Sequence, residues 1–207
     1  RDAGYRVLGC GKFDLDKPIL EWGLDGKRLI HEWGFSDGID NEGKMDAIQA
    51  WRRFGGPTGP YMALLKERGF AEIHVEDMTG RKERGTDPTP LPEELYCDNW
   101  LAENGLRLLR ETPPGQPWFL QVNFTGPHLP FDVTRRMRAL WEGVDFPPAN
   151  HPPEGLTAQE INRQRQNYSA MTENIDRLAG LFLDEVERRG ELDNTLIVFS
   201  SDHGEML

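Results

Sequence analysis

The stretch Asn194-Thr195-Leu196-Ile197-Val198-Phe199-Ser200-Ser201-Asp202-His203-Gly204-Glu205 decides how the chain is read. Leu196 to Phe199 are apolar, β-branched and aromatic, the composition of a strand buried on both faces of a parallel sheet. Polarity then switches at Ser200, where such a strand would leave its sheet, and open α/β sheets bind ligands outside the carboxyl ends of their strands. Asp202 offers a hard oxygen and His203 an imidazole nitrogen, and Gly204 permits the tight turn that brings both onto one divalent cation. Asp202 and His203 are therefore expected to be metal ligands. The same residues suit a second reading, a Ser-Asp pair capping a following helix beside a solvent-facing histidine.

Working back from this stretch, Tyr168, Met171, Ile175, Leu178, Phe182 and Val186 recur at three- and four-residue steps, and Gly190 follows. A helix over 167–189 is predicted, leading straight into the final strand. Residues 118–124 read as a second buried strand, ending in Thr125-Gly126-Pro127-His128. Residues 5–10 read as a third, preceded by Arg1 to Gly4 as the last turn of a helix and its glycine cap. Gly11-Lys12-Phe13-Asp14 would leave that strand at the same carboxyl edge as Asp202 and His203. Between these strands the sequence predicts a helix over 91–111, stopped by Pro113-Pro114, and another over 60–68 capped by Gly69. Ile73-His74-Val75 reads as a short strand, and 77–89 as a polar loop. Two stretches, 16–59 and 129–153, are expected to be irregular, the first with one short helix near 45–54. The order of elements defines the α/β class, a largely parallel sheet flanked by helices, with no repeat and no linker dividing a single domain.

The net charge of -11 opposes general binding to nucleic acid or an anionic membrane, since its long-range field repels phosphate. No apolar run reaches the length of a membrane span. Cys10 and Cys97, the two cysteines, have neither zinc-site spacing nor the number for a disulfide framework, and are expected to be buried thiols.

Lys12 would offer a cation to an oxyanion, or be an ordinary solvated lysine; the glycine-rich lead and following Ser/Thr of a phosphate loop are absent. His128, between Pro127 and Pro130, would bind a tetrahedral oxyanion or protonate a leaving group, or be a loop histidine. His31, His74 and His151 have no partners in sequence and read as structural or solvent-facing. Trp22 and Trp33 read as packing residues. The sequons at Asn123 and Asn167 fall in a buried strand and at a helix start, so neither is expected to carry a glycan.

Three blocks together resemble a known family. Gly4-Tyr5-Arg6 through Gly11-Lys12, the strand at 118–124 with Gly126-Pro127-His128-Leu129-Pro130, and Asn167-Tyr168 through Asp202-His203-Gly204-Glu205 occur in the same order as in sulfatases of the alkaline phosphatase superfamily. The resemblance implies an alkaline phosphatase-like fold with Asp202 and His203 as metal ligands. It implies further that Lys12 contacts the sulfate group and that His128 contacts sulfate or assists the leaving group. One divalent ion is implied, calcium first and manganese second, together with a formylglycine nucleophile made from a Cys/Ser-x-Pro/Ala-x-Arg motif. Neither Cys10, Cys97 nor any serine opens that motif here. Sulfatases also usually place a histidine two residues after the lysine, where this chain has Asp14, and a carboxylate there repels a sulfate anion unless it binds the metal or a cationic part of the substrate.

Residues 1–207 are accordingly expected to be part of a single sulfatase-like catalytic domain, whose upstream nucleophile segment and downstream segment lie outside them, and to be inactive alone. The expected activity of the complete protein is metal-dependent hydrolysis of a small-molecule or carbohydrate sulfate ester. Two rivals are a phosphodiesterase or phosphonate monoester hydrolase of the same superfamily, and a non-catalytic binding or structural module.

Overall fold

The computed structural model describes residues 3–15, 19–81, 85–152, 154–205 and 207; Arg1 and Asp2, assigned above to a helical turn, lie outside them. The chain forms two compact units, Arg1–Gly80 with Pro90–Thr125, and Arg81–Thr89 with Gly126–Leu207.

The first unit is built on a parallel three-stranded sheet in the order β2-β1-β3, from β1 (Arg6–Gly11), β2 (Asp37–Asp40) and β3 (Trp118–Asn123). Gly11 pairs with Asp40 on one side and Asn123 on the other, so the three strands end at one edge. Parallel strands need long crossovers, and helices supply most of the connection from β2 to β3. These are α1 (Lys44–Phe54), α2 (Pro60–Glu67), α3 (Ala71–Arg81) and α4 (Cys97–Arg110). Leu8 and Cys10 of β1 are wholly buried and pack in one core with Ile39, Met62, Leu101 and Leu108. The predicted helix over 91–111 resolves into a 3₁₀ turn at Glu93–Leu95 followed by α4.

Three expectations change here. Ile73-His74-Val75 is helical, because Ala71, His74 and Met78, all buried, recur at helical spacing and outweigh the β propensity of two branched residues. The supposed irregular stretch contains β2, whose Asp-Gly-Ile-Asp composition gives no strand signal. It becomes a strand by pairing with β1 so closely that a Cβ on Gly38 would lie 2.3 Å from the Gly9 carbonyl oxygen. The third change is in β3, at the edge of this sheet, where Phe119 is exposed and burial on both faces is not realised.

In the second unit, α5 (Arg135–Trp141) packs against the 31-residue α6 (Ala158–Arg188). The helix predicted from Asn167 starts earlier because Thr157 and Glu160 form a capping box: Thr157 Oγ1 accepts from the Glu160 amide at 3.2 Å, and Glu160 Oε2 accepts from the Thr157 amide at 2.8 Å. Helix α5, within a stretch expected to be irregular, is capped by Thr134, whose Oγ1 accepts from the Met137 amide. Asn167 is wholly buried and donates through Nδ2 to the carbonyls of Phe131 (2.6 Å) and Thr86 (2.9 Å), while Tyr168 meets Phe131 edge-on. A glycan at Asn167 is incompatible with this burial.

The largest correction concerns the end of the chain. Leu196 to Phe199 form no strand; they follow a 3₁₀ turn at Leu192–Asn194, and Leu196, Val198 and Phe199 are 90%, 78% and 72% exposed. Among the described residues no strand pairs with this segment, and β propensity without a ladder partner does not make a strand.

Replacing the buried amide of Asn167 leaves the Phe131 carbonyl without this donor and opens a small void. Asn167→Ala should lower stability by about 2 kcal/mol in urea unfolding. A loss below about 0.5 kcal/mol, the range of neutral surface changes, would show that this amide does not hold the second unit together.

Candidate functional site

Lys12 stands where β1 leaves the sheet. Its amide donates to the Asn123 carbonyl at 3.1 Å, and Asn123 Nδ2 donates back to the Lys12 carbonyl at 3.1 Å, so its backbone is tied to the end of β3 from both directions. This close approach requires glycine before it: Gly11 has φ +124°, and a Cβ there would stand 1.9 Å from the Asn123 carbonyl oxygen. The side chain runs past Gly43, the residue before α1, and its Nζ lies 3.1 Å from Asp14 Oδ2. Asp14 is thus paired with the lysine two residues before it.

The edge around Lys12 is lined by buried polar groups that fasten loops to helix ends. Glu42, following β2, accepts from the amides of Tyr61 (3.4 Å) and Met62 (3.0 Å) in the first turn of α2, satisfying donors that a helix N-terminus leaves over. Burial pushes its carboxyl up to about 7, although the backbone amides pull the other way. Asp98 in the first turn of α4 accepts from both the amide (2.7 Å) and the hydroxyl (2.9 Å) of Thr125, fixing the chain as it leaves β3. Asn41 donates to the Glu42 carbonyl at 2.9 Å and to Cys97 Sγ at 3.5 Å. Both cysteines are buried free thiols, as expected; burial pushes Cys10 up to about 12 and raises Cys97 as well, which leaves neither as a ready nucleophile. His74 packs edge-on against Tyr61 and His31 Nδ1 faces the Phe35 carbonyl, both structural placements. Trp22 is buried and Trp33 packs near Phe13, in keeping with packing roles.

The second unit holds the other three candidates. His128 is exposed on its turn, with Nδ1 2.6 Å from the Leu129 carbonyl, and so carries its neutral-ring proton on Nδ1. Asp202 and His203 lie on the exposed final segment instead of at the end of a sheet strand. His203 Nε2 is 3.6 Å from Asp202 Oδ2, and its Nδ1 faces the Gly204 carbonyl at 2.9 Å, which makes Nε2 the lone-pair nitrogen of the neutral ring. An oxygen and a nitrogen donor at this separation suit two positions around one divalent cation. Among the described residues no group of three or more His, Cys, Asp or Glu side chains comes together as a metal site. Beside it, Gly204 and Glu205 join Phe146, Arg165, Tyr168 and Ser169 around a cavity of about 300 Å³.

A model of the sulfatase family matches residues 1–207. The chain belongs to the sulfatase family. An arylsulfatase of Clostridium perfringens is 29% identical over 138 residues, which cover 58% of this chain and 29% of that protein. The multifunctional alkaline phosphatase superfamily protein PehA of Trinickia caryophylli is 28% identical over 202 residues, 79% of this chain and 39% of that one. This sulfatase-family chain thus spans well under half the length of these relatives. The crystal structure of the phosphonate monoester hydrolase of Agrobacterium radiobacter superposes with a TM-score of 0.66 at 20% identity, over 100% of this chain and 46% of that one. The alkaline phosphatase-like α/β fold read from the sequence is shared with that hydrolase. No helix among the described residues of the sulfatase-family chain is long and apolar enough to cross a membrane.

The strand ends that precede Lys12 and His128 were legible, because β1 and β3 form. Glu42 and Asp98 were not, since their partners are amides and hydroxyls 19 to 27 residues away. The one available signal was the run Asp40-Asn41-Glu42, polar yet placed between a strand and a helix start.

Glu42 binds its proton more tightly folded than unfolded, so its contribution to stability is full below its ordinary value of 4.5 and is lost as pH rises through about 7. Unfolding free energies from pH 5 to 8 should fall by roughly 3 kcal/mol more in the native protein than in Glu42→Gln. Equal slopes for the two proteins would show that Glu42 titrates normally.

Proposed function

We propose that the chain forms part of the catalytic domain of a metal-dependent hydrolase of sulfate esters. The observation that carries this reading, beside the family match, is the placement of Lys12. Its backbone is locked at the carboxyl edge of the sheet and its ammonium group stays partly exposed, the requirement for a cation that meets an anionic ester at a fixed position.

Each candidate then has a chemical role. Lys12 binds the sulfuryl oxygens and offsets the charge that builds on them. His128, as imidazolium, keeps its Nδ1 proton on the Leu129 carbonyl and transfers the Nε2 proton to the departing alkoxide. Asp202 and His203 hold the divalent cation in part, calcium by family resemblance and manganese as the alternative. When bound, the cation supplies Lewis-acid neutralisation of the ester. The nucleophile in this reading is a formylglycine, a role that Cys10 and Cys97 do not fill, since both are buried and lie outside its motif.

A second reading, hydrolysis of phosphodiesters or phosphonate monoesters, draws support from the relative described as multifunctional within the alkaline phosphatase superfamily. Comparing kcat/KM of the complete protein on aryl sulfate, phosphodiester and phosphonate esters separates the two, with the sulfate ester expected to lead.

In the complete protein, Lys12→Ala and His128→Ala should each lower kcat/KM by about 10²-fold with the fold retained. Asp202→Ala and His203→Ala should each abolish stoichiometric metal by elemental analysis. Full activity in either of the first pair would remove the role assigned to that residue, and unchanged metal content with no turnover would favour a non-catalytic module.

A further inference from the structure

Asp14 is unusual in two respects. It is one of the non-glycine residues with positive φ, at 57°, a left-handed conformation that aspartate and asparagine enter more readily than other L side chains. Its Oδ2 is 3.1 Å from Lys12 Nζ, with the two side chains only 37% and 22% exposed. An ion pair this near solvent contributes little to stability, so what it adds to the fold does not explain the pairing. Asp46 adds to the acidity of this corner: its Oδ2 and Lys12 Cε each lie 2.8 Å from the position a Cβ on Gly43 would take.

We propose that Asp14 is the resting counter-ion of Lys12, a positioning and affinity-setting residue that an anionic ligand must displace from the ammonium. This rests on the reading of Lys12 as the anion-binding lysine. With Asp14 in place, Lys12 is held in one position and partly neutralised before an anion arrives. The anion exchanges with the carboxylate instead of meeting a bare cation. The exchange weakens ground-state binding of any sulfate-like anion, released inorganic sulfate included, and it favours escape of that product. A neutral residue at the same place would leave Lys12 with more of its charge and make the site hold sulfate more tightly.

The test is calorimetric titration of the protein with inorganic sulfate, comparing the native chain, Asp14→Asn, Lys12→Ala and the double variant. Asparagine keeps the shape of the side chain and tolerates positive φ, so Asp14→Asn should fold with an unchanged melting temperature. It should bind sulfate about two- to fivefold more tightly at low ionic strength. The gain should collapse near 0.5 M NaCl, where the Debye length falls to roughly 4 Å, and Lys12→Ala should abolish binding in both backgrounds. Sulfate binding that requires Lys12 but is unchanged or weaker in Asp14→Asn would overturn the counter-ion role and leave the assignment of Lys12 standing. Binding indifferent to Lys12→Ala, or absent from all four proteins, would overturn both.

Discussion

Strand β1 is hydrogen-bonded along both edges, to β2 and to β3, and the geometry of the first unit follows from that. A parallel strand between two neighbours has no free backbone polar groups to spare for loops, so its length and exit point are set by the register of its partners. Gly38 against Gly9 and Gly11 against Asn123 allow main chains to approach where any side chain would collide. The reciprocal bonds between Lys12 and Asn123 continue the ladder one residue past the strand, which is why a residue formally in a loop is held as firmly as one in the sheet.

Around this edge the chain uses buried carboxylates as fasteners. Glu42 ties the exit of β2 to the start of α2, and Asp98 ties the start of α4 to the residue that follows β3. Each accepts from backbone amides at a helix start or loop, and for Glu42 burial outweighs those bonds and raises its carboxyl to about 7. The same economy explains Lys12 and Asp14. Where Lys12 stands near solvent at the sheet edge, the carboxylate of Asp14 is brought to it from a left-handed turn.

The second unit follows helix logic. The apolar spacing of Met171, Ile175 and Leu178 marked the buried side of α6, while its start, set by the Thr157–Glu160 capping box, lay well before the Asn167 read from the sequence. Asn167 read as a helix start with a chance sequon; its use as a buried double donor to Phe131 and Thr86 depends on carbonyls 36 and 81 residues away. Helix α3 shows the opposite case, a short β-branched run whose fate was decided by burial of Ala71, His74 and Met78 along one helical side.

By itself the sequence determined what is local. It specified the α/β class, β1 and β3, most of the helices, the buried state of the two thiols, and the residue types, Lys12, His128 and the Asp202–His203 pair, that carry the family resemblance. Tertiary structure decided what depends on partners distant in sequence. It made a strand of Asp37–Asp40, whose composition argues against one, and left Leu196 to Phe199 exposed despite a composition that argues for one. It also gave Asp14 to Lys12 and Glu42 to α2. Strand identity and the environment of a charged group are both properties of pairs, and no single stretch of sequence contains the second member.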